Sequence, residues 1–260
     1  MKSVIINSVI MKSVIITGAS SGIGMHLAKE YLAKGWKVIA CGRSYEKLSL
    51  ALNTNINTNV NTTAENLTLC CFDLSKRDDV ICNASQYKNI DLAILNAGTC
   101  EYIDDAKNFD SVLFERVIQT NVIGTAYCLE AILPNINSGG QIAIVSSSAT
   151  LLPLTRAEAY GASKSALDYL ARTLAIDLAP KGIDVSLIRP GFVDTPLTQK
   201  NTFSMPGILT AEKASELIVK GIHKRKQEIN FPRGFIYILK CLSLLPNALW
   251  RRIAIKMIRP

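Results

Sequence analysis

Short apolar runs rich in Val and Ile alternate along this chain with longer segments in which apolar residues recur at helical spacing. Several of the short runs are apolar at consecutive positions, which is typical of strands buried on both faces of a parallel sheet. The runs that predict strands are Ser13–Thr17, 37–41, 67–73, 92–96, 141–147, 184–189 and Glu228–Phe231. Because strands and helices alternate, the pattern predicts a doubly wound α/β fold with helices on both faces of a parallel sheet.

Length and composition indicate one main domain with a short appendage. A chain of 260 residues with 48% hydrophobic and 19% charged residues has enough apolar material for one compact core. We predict a main domain over 11–232 and a helical tail over 233–260. The Asn- and Thr-rich stretch 53–66 is predicted to be a solvated loop without chemistry.

The first ten residues are a separate feature. Met1-Lys-Ser-Val-Ile-Ile6 recurs as Met11-Lys-Ser-Val-Ile-Ile16, and only the second copy continues into a glycine-rich segment. We therefore expect Met11 to be the true start and 1–10 to be a disordered leader, too short for a secretory signal or a membrane span. The alternative is that the leader forms an extra strand.

Cysteine and histidine usage favours a reduced, metal-free protein. The seven cysteines are odd in number and show no C-x-x-C spacing, so we expect free thiols in a reducing cytoplasm. His26 and His223 are the only histidines, and no carboxylates cluster near them in the sequence. We predict no metal site, since a zinc site of the usual kind would lack ligands.

A glycine-rich turn directly follows the first predicted strand. Thr17-Gly18-Ala19-Ser20-Ser21-Gly22-Ile23-Gly24 ends in the start of a helix near Gly22. Glycines let the backbone turn sharply and approach a phosphate, while a helix N-terminus offers free N–H groups and partial positive charge. The turn therefore predicts a pyrophosphate site, although an ordinary strand-to-helix turn is the alternative.

The end of the second predicted strand indicates which dinucleotide binds. A fold that prefers NAD usually has an acid there for the ribose 2′-hydroxyl, whereas this chain has Ala40-Cys41-Gly42-Arg43. No carboxylate is present there to repel a 2′-phosphate, and the permanently charged, planar guanidinium of Arg43 could bind that phosphate. We predict NADP(H) in preference to NAD(H); the alternative is that Arg43 only caps or solvates the following helix.

Tyr160 and Lys164 are four residues apart and fall on one face of a predicted helix. An adjacent cation favours the phenolate, so we expect Lys164 to lower the pKa of Tyr160 from its ordinary value of ~10. Tyr160 would then be a usable proton donor or acceptor. An accidental amphipathic pair is the alternative for this motif taken alone.

These motifs, taken together and in order, resemble the short-chain dehydrogenase/reductase family in its single-domain branch. The resemblance covers about 13–231 and implies a seven-stranded parallel sheet in order 3-2-1-4-5-6-7, an NAD(P)-binding Rossmann-type catalytic domain and a homodimer or homotetramer. The matching positions are Thr17, Gly18, Gly22, Gly24, Asp73, Leu95, Asn96, Ala97, Gly98, Asn121, Ser147, Tyr160, Lys164, Pro190, Gly191 and Thr195.

The resemblance implies roles for these residues. Ser147 would hydrogen-bond the substrate oxygen, although Ser146 and Ser148 leave that assignment open, and Tyr160 would transfer the proton. Lys164 would hold the nicotinamide ribose, and the backbone of Asn121 would hold a water of the proton relay. The alternative for Asn121 is that its side chain is a buried structural amide. The implied cofactor-binding residues are Gly18, Ser20, Ser21, Gly22, Ile23, Gly24, Arg43, Asp73, Leu74, Asn96, Ala97, Gly98, Tyr160, Lys164, Pro190, Gly191, Val193 and Thr195.

The implied function is an NADPH-dependent oxidoreductase that reduces a carbonyl to an alcohol, or runs in reverse. The alternative is a catalytically silent dinucleotide-binding regulatory or scaffold protein. Segments expected to surround the substrate are apolar, which favours a small apolar substrate if their side chains face the site. They contain Tyr102, Leu151, Leu152, Leu154, Phe192, Leu197, Phe203 and Met205.

The basic charge of the chain is concentrated in its tail. The net charge is +8, yet residues 220–260 hold ten Lys and Arg against the single acid Glu228. The main body is near neutral, which disfavours nucleic-acid binding. Two apolar, basic helical segments are predicted after Arg233, and they suit a peripheral contact with the inner face of an anionic membrane. Covering a subunit interface or the substrate pocket is the alternative.

Overall fold

The computed structural model describes residues 11–53, 65–201 and 203–257. The predicted leader 1–10, most of the predicted loop 53–66 and the last three residues of the predicted tail lie outside the described residues.

The main sheet has seven parallel strands, as predicted. Its order is β3-β2-β1-β4-β5-β6-β9, so the predicted winding is confirmed, with β9 as the seventh strand of the sheet. A short parallel pair, β7 and β8, was not predicted. The strands are β1 (Ser13–Thr17), β2 (Lys37–Gly42), β3 (Leu67–Cys71), β4 (Ile90–Leu95), β5 (Ile136–Val145), β6 (Asp184–Pro190), β7 (Val193–Asp194), β8 (Leu209–Thr210) and β9 (Glu228–Phe231).

Helices cover both faces of the sheet and form two apolar cores. One core joins α1, α2 and α7 to the sheet, and the other joins α3, α5 and α6 to the opposite face. In β1, Val14 and Ile16 enter the first core and Ile15 the second, because successive side chains of a strand point to opposite faces. The helices are α1 (Gly22–Ala33), α2 (Tyr45–Ala51), α3 (Arg77–Ala84), α4 (Ser111–Ile118), α5 (Gly124–Ile132), α6 (Glu158–Leu178), α7 (Ala211–His223), α8 (Arg233–Ser243) and α9 (Asn247–Met257).

Strand β5 begins earlier than the sequence pattern predicted. The prediction began at Gln141, whereas the strand begins at Ile136, which pairs with Ile90. The intervening Asn-Ser-Gly-Gly stretch is typical of a turn. It continues the strand because the register between β4 and β5 shifts there, which accommodates the irregular backbone.

The tail folds back onto the loop that follows β5. Trp250 of α9 and Leu239 of α8 are buried against Leu152, and the indole Nε1 of Trp250 donates a hydrogen bond to the Pro153 carbonyl at 3.0 Å. The described helices include none whose length and apolar character would let it cross a membrane.

Candidate active site

The candidate residues meet at the carboxyl edge of the sheet, where a doubly wound fold binds its ligands. Gly18 follows β1, Arg43 follows β2, Asn96 follows β4 and Ser147 lies just beyond β5. These residues come together because parallel strands all end at this edge.

The backbone of the glycine-rich turn is packed so tightly that a side chain would clash at Gly18 and Gly24. Gly18 and Gly22 have positive φ angles of 70° and 52°, which favour glycine. A Cβ at Gly24 would lie 2.1 Å from the Gly18 carbonyl oxygen and 2.6 Å from Asn96 Nδ2. Ser21 is the N-cap residue of α1, but its side chain makes no capping hydrogen bond. The first N–H groups of α1 therefore keep their capacity to bind an anion.

Thr17 joins this turn to the end of β4. Its Oγ1 accepts hydrogen bonds from Asn96 N at 3.0 Å and Ala97 N at 3.1 Å, and Asn96 Nδ2 donates to the Thr17 carbonyl at 3.1 Å. A Cβ at Gly18 would lie 2.9 Å from Ala97 Cα, so the two segments touch. The organising role of Thr17 was not predicted; its signal in the sequence is a hydroxyl residue directly before the first glycine.

Arg43 directly follows β2, and Asp73 lies two residues beyond β3. Arg43 is exposed. Asp73 Oδ1 accepts hydrogen bonds from Ser75 N at 3.0 Å and Ser75 Oγ at 2.9 Å. These bonds, followed by the nearby positive charge of Arg43, lower the pKa of Asp73. The next residue, Leu74, packs against Gly124, where a Cβ would lie 2.9 Å from Leu74 Cβ.

The Ser147 hydroxyl lies close enough to the Tyr160 phenol to offset part of the rise in its pKa that burial causes. Tyr160 lies in the first turn of α6, and Ser147 Oγ also accepts a bond from Ala149 N at 3.1 Å. Ser146 is turned elsewhere, because its Oγ donates to the Lys164 carbonyl at 3.1 Å. Among the three neighbouring serines, the geometry thus favours Ser147 as the partner of Tyr160.

Lys164 is almost fully buried, with 4% of its surface exposed. Its Nζ donates to the Val145 carbonyl at 3.0 Å and lies 5.8 Å from the centroid of the Tyr160 ring. Burial lowers the pKa of Lys164 to about 8.

The pKa of Tyr160 shifts in the direction opposite to our expectation. Burial raises it, the hydrogen bond from Ser147 opposes that rise, and Lys164 is not among its causes. The expected lowering by Lys164 is therefore not found in this structure. The i, i+4 spacing placed the cation correctly, but spacing alone does not reveal the desolvation that dominates here.

Asn121 lies inside a short π-helical turn, Gln119–Ile123, and is fully buried. Its Oδ1 accepts from Thr99 N at 2.7 Å, and its Nδ2 donates to the Thr99 carbonyl and to Ser163 Oγ, both at 2.9 Å. The Asn121 carbonyl accepts from Thr125 Oγ1 at 2.7 Å. The side chain therefore holds the segment after β4 against α6, and a relay role for its backbone remains a prediction.

The segment after β6 returns to the glycine-rich turn. Gly191 follows Pro190, and its backbone N–H donates a hydrogen bond to the Phe231 carbonyl at 2.7 Å. Strand β7 begins at Val193. Thr195 lies against the turn, since a Cβ at Gly22 would be 3.0 Å from Thr195 Cγ2. Gly98 lies near the other candidates, because a Cβ there would be 3.0 Å from Asn121 Oδ1 and 3.4 Å from Lys164 Nζ.

An aromatic chain borders the site, and the sequence did not predict its continuity. The ring centroids are 5.6 Å apart for Tyr102 and Phe203, 6.1 Å for Phe203 and Phe192, and 5.6 Å for Phe192 and Phe235. By contrast, Leu152 is buried beneath the tail with 3% exposure and belongs to a core.

A cavity of about 520 Å³ lies at the opposite, amino edge of the sheet. Lys12, Trp36, Asp91 and Arg225 are among its lining residues. It is remote from Tyr160 and takes no part in the site described above.

The lowered pKa of Lys164 predicts a pH dependence of stability. The group titrates near pH 8 when folded and at its ordinary 10.5 when unfolded, so the unfolded chain binds more protons between these values. The free energy of unfolding of the unmodified protein should therefore rise by roughly 2–3 kcal/mol relative to Lys164→Met as the pH increases through that range. Urea unfolding at several pH values measures this.

Lys29→Met, at an exposed lysine of α1, controls for the loss of one positive charge. A difference between the unmodified protein and Lys164→Met that stays constant with pH would contradict the burial argument.

Comparisons with known proteins agree with this architecture. The family model described as short chain dehydrogenase matches residues 12–205. An uncharacterized oxidoreductase of Myxococcus xanthus is 34% identical over 248 residues, covering 92% of this chain and 94% of that protein. The 11-beta-hydroxysteroid dehydrogenase-like 3 protein of Arabidopsis thaliana is 31% identical, covering 95% of this chain and 81% of that protein.

Solved structures show the same fold. A short chain dehydrogenase from Burkholderia cenocepacia, solved in complex with NADP, superposes with a TM-score of 0.80 at 24% identity and covers 93% of this chain and 97% of that one. The closed form of a serine dehydrogenase complexed with NADP+ gives a TM-score of 0.72 at 25% identity, covering 84% and 94%. Since the family model spans the sheet from β1 to the segment after β6, and relatives match nearly end to end, this chain belongs to the short-chain dehydrogenase family of oxidoreductases.

Proposed function

We propose that this chain is an NADP(H)-dependent oxidoreductase that interconverts a carbonyl compound and its alcohol. The observation that carries the proposal is the juxtaposition of the Ser147 and Tyr160 hydroxyl groups, with the buried Lys164 ammonium 5.8 Å from the centroid of the Tyr160 ring. A pair of hydroxyl groups suits a carbonyl oxygen, which accepts two hydrogen bonds.

The residues present fit a dinucleotide. Gly18 and Gly24 leave no room for a side chain, and the uncapped first turn of α1 suits a pyrophosphate. Arg43 suits a 2′-phosphate. Thr195 lies against Gly22, so the segment 190–195 would hold the nicotinamide. The solved relatives bound to NADP or NADP+ support this choice of cofactor.

The direction of the Tyr160 pKa shift bears on the reaction. A phenol whose pKa is raised keeps its proton at neutral pH, which suits it to donate that proton to an oxygen as negative charge develops there. When bound, the nicotinamide supplies or takes up the hydride. Ser147 would orient the substrate oxygen, and Lys164 would contact the adjacent ribose and support reprotonation of Tyr160. We therefore favour reduction as the reaction that this site is built for.

The surroundings of Tyr160 favour an apolar substrate. The aromatic chain of Tyr102, Phe203, Phe192 and Phe235 borders the site, and large aromatic surfaces bind apolar molecules by excluding water. A homodimeric or homotetrameric state and a cytoplasmic location remain predictions.

NADPH oxidation with a panel of ketones and aldehydes of graded hydrophobicity tests the proposal. We expect turnover that improves with apolar surface of the substrate. NADPH binding without turnover on any member of the panel would instead support the catalytically silent alternative, which the comparisons do not support.

The exposed guanidinium of Arg43 leads to a prediction about cofactor choice. NADPH should bind more tightly than NADH, and Arg43→Ala should reduce that preference about tenfold or more, because a charge-assisted contact contributes ~1.5–3 kcal/mol. Dissociation constants for both cofactors measure the effect. Lys47→Ala, at an exposed cation of α2, is the matched control. Equal affinities in the unmodified protein would refute the NADP assignment.

A further inference from the structure

The inner face of the tail is occupied by the protein itself. Phe235, Leu239 and Leu242 of α8 recur at helical spacing and pack with Trp250 of α9 against the loop after β5. This contact fixes the two helices on the domain and accounts for one apolar stripe of α8.

A second set of apolar side chains on the same helices points to solvent. In α8, Tyr237 is 70% exposed and Ile238 is 56% exposed, and in the turn before α9 Leu244 is 84% exposed. Leu249 and Ile255 of α9 are 44% and 53% exposed. Large apolar side chains exposed together over 237–255 mark an interaction surface.

The charge of the tail is of one sign. Residues 233–257 contain no Asp or Glu, and all of their cationic side chains are exposed. Lys240 approaches Glu228, at 3.9 Å, but that acid lies outside the tail. The cations are Arg233, Lys240, Arg251, Arg252 and Lys256.

We propose that this outer face of α8 and α9 docks onto an anionic lipid bilayer. Exposed Leu, Ile and Tyr side chains together with Lys and Arg form the surface that binds at the boundary between headgroups and acyl chains. Apolar side chains would enter that boundary while the cations contact acidic headgroups.

Other occupants fit the surface less well. A second copy related by twofold symmetry would place this basic face against itself and bring like charges together. A peptide helix needs a groove that shields its apolar residues. Leu244 cannot line such a groove in this structure, because 84% of its surface is exposed.

Sedimentation of the full chain with lipid vesicles tests the proposal. Vesicles of phosphatidylcholine alone and with roughly a third phosphatidylserine are compared at low salt and at ~0.5 M salt. We expect binding to the anionic vesicles at low salt and much weaker binding under the other conditions. Arg251→Ala combined with Arg252→Ala should weaken low-salt binding by roughly 30-fold, at ~1 kcal/mol per basic side chain.

Leu244→Glu and Leu50→Glu form a matched pair, because both replace an exposed leucine and change the charge equally. Leu50 lies on α2 and is 73% exposed. Leu244→Glu should reduce vesicle binding by about tenfold or more, whereas Leu50→Glu should leave it within about twofold. Thermal unfolding of both variants checks that the fold is intact.

Three results would overturn the proposal. The first is that the protein does not bind anionic vesicles at low salt. The second is that Leu244→Glu and Leu50→Glu reduce vesicle binding equally. The third is that Leu244→Glu dissociates an oligomer in the absence of vesicles, which would make a second copy of the chain the occupant. The assay contains no cofactor or substrate, so its outcome is independent of the proposed reaction.

Discussion

Tyr160→Phe should lower the rate of carbonyl reduction about a thousandfold, since general acid catalysis contributes ~10²–10⁴-fold. The substitution removes only the hydroxyl that lies near Ser147 and leaves the ring in place near Lys164. NADPH affinity should therefore change little. Steady-state turnover and a fluorescence titration of NADPH measure the two quantities separately.

Tyr169→Phe is the matched control on the same helix. Tyr169 also lies in α6, but 78% of its surface is exposed, so its hydroxyl is in solvent. This variant should keep full activity. If Tyr160→Phe retained more than about a tenth of the unmodified rate, the proton would have to come from another group and the proposed role would be wrong.

The doubly wound class of the fold was predictable because its signals are local, whereas the strand order followed from the family resemblance. The apolar run of β1 fills both cores, and Gly18 to Gly24 lie between that strand and α1. In a parallel sheet, strand ends converge at one edge whatever the side chains are. The strand ends therefore place the glycine-rich turn and Ser147 at one edge of the sheet, whereas the role of Tyr160, which lies on α6, was implied by the resemblance.

The pKa of Tyr160 and the aromatic chain that borders the site were not predictable in the same way. The pKa of Tyr160 depends on how fully α6 and the surrounding loops desolvate it, which its spacing from Lys164 does not encode. The aromatic chain joins Tyr102, Phe192 and Phe235 through contacts between segments far apart in sequence. Strand β5 began early because its pairing with β4 tolerates residues that locally favour a turn.

Gly24→Ala should destabilise the protein by roughly 1–3 kcal/mol and weaken NADPH binding by about a hundredfold. In an unobstructed helix, Ala is favoured over Gly by up to ~1 kcal/mol. Whether Gly24→Ala lowers or raises the free energy of unfolding therefore depends entirely on the packing around the new Cβ. The new Cβ would lie 2.1 Å from the Gly18 carbonyl oxygen and 2.6 Å from Asn96 Nδ2. Neither group can move aside freely, because the first is backbone and the second is hydrogen-bonded to Thr17.

Gly234→Ala is the matched control, because it makes the same substitution in the first turn of α8. A Cβ at Gly234 would meet no atom within 4 Å. This variant should be as stable as the unmodified protein or more stable by up to ~1 kcal/mol. Urea unfolding of both variants, with an NADPH titration, measures the contrast. If Gly24→Ala were also neutral or stabilising and still bound NADPH normally, the turn would not need close approach of its backbone, and its assignment as the pyrophosphate site would fail.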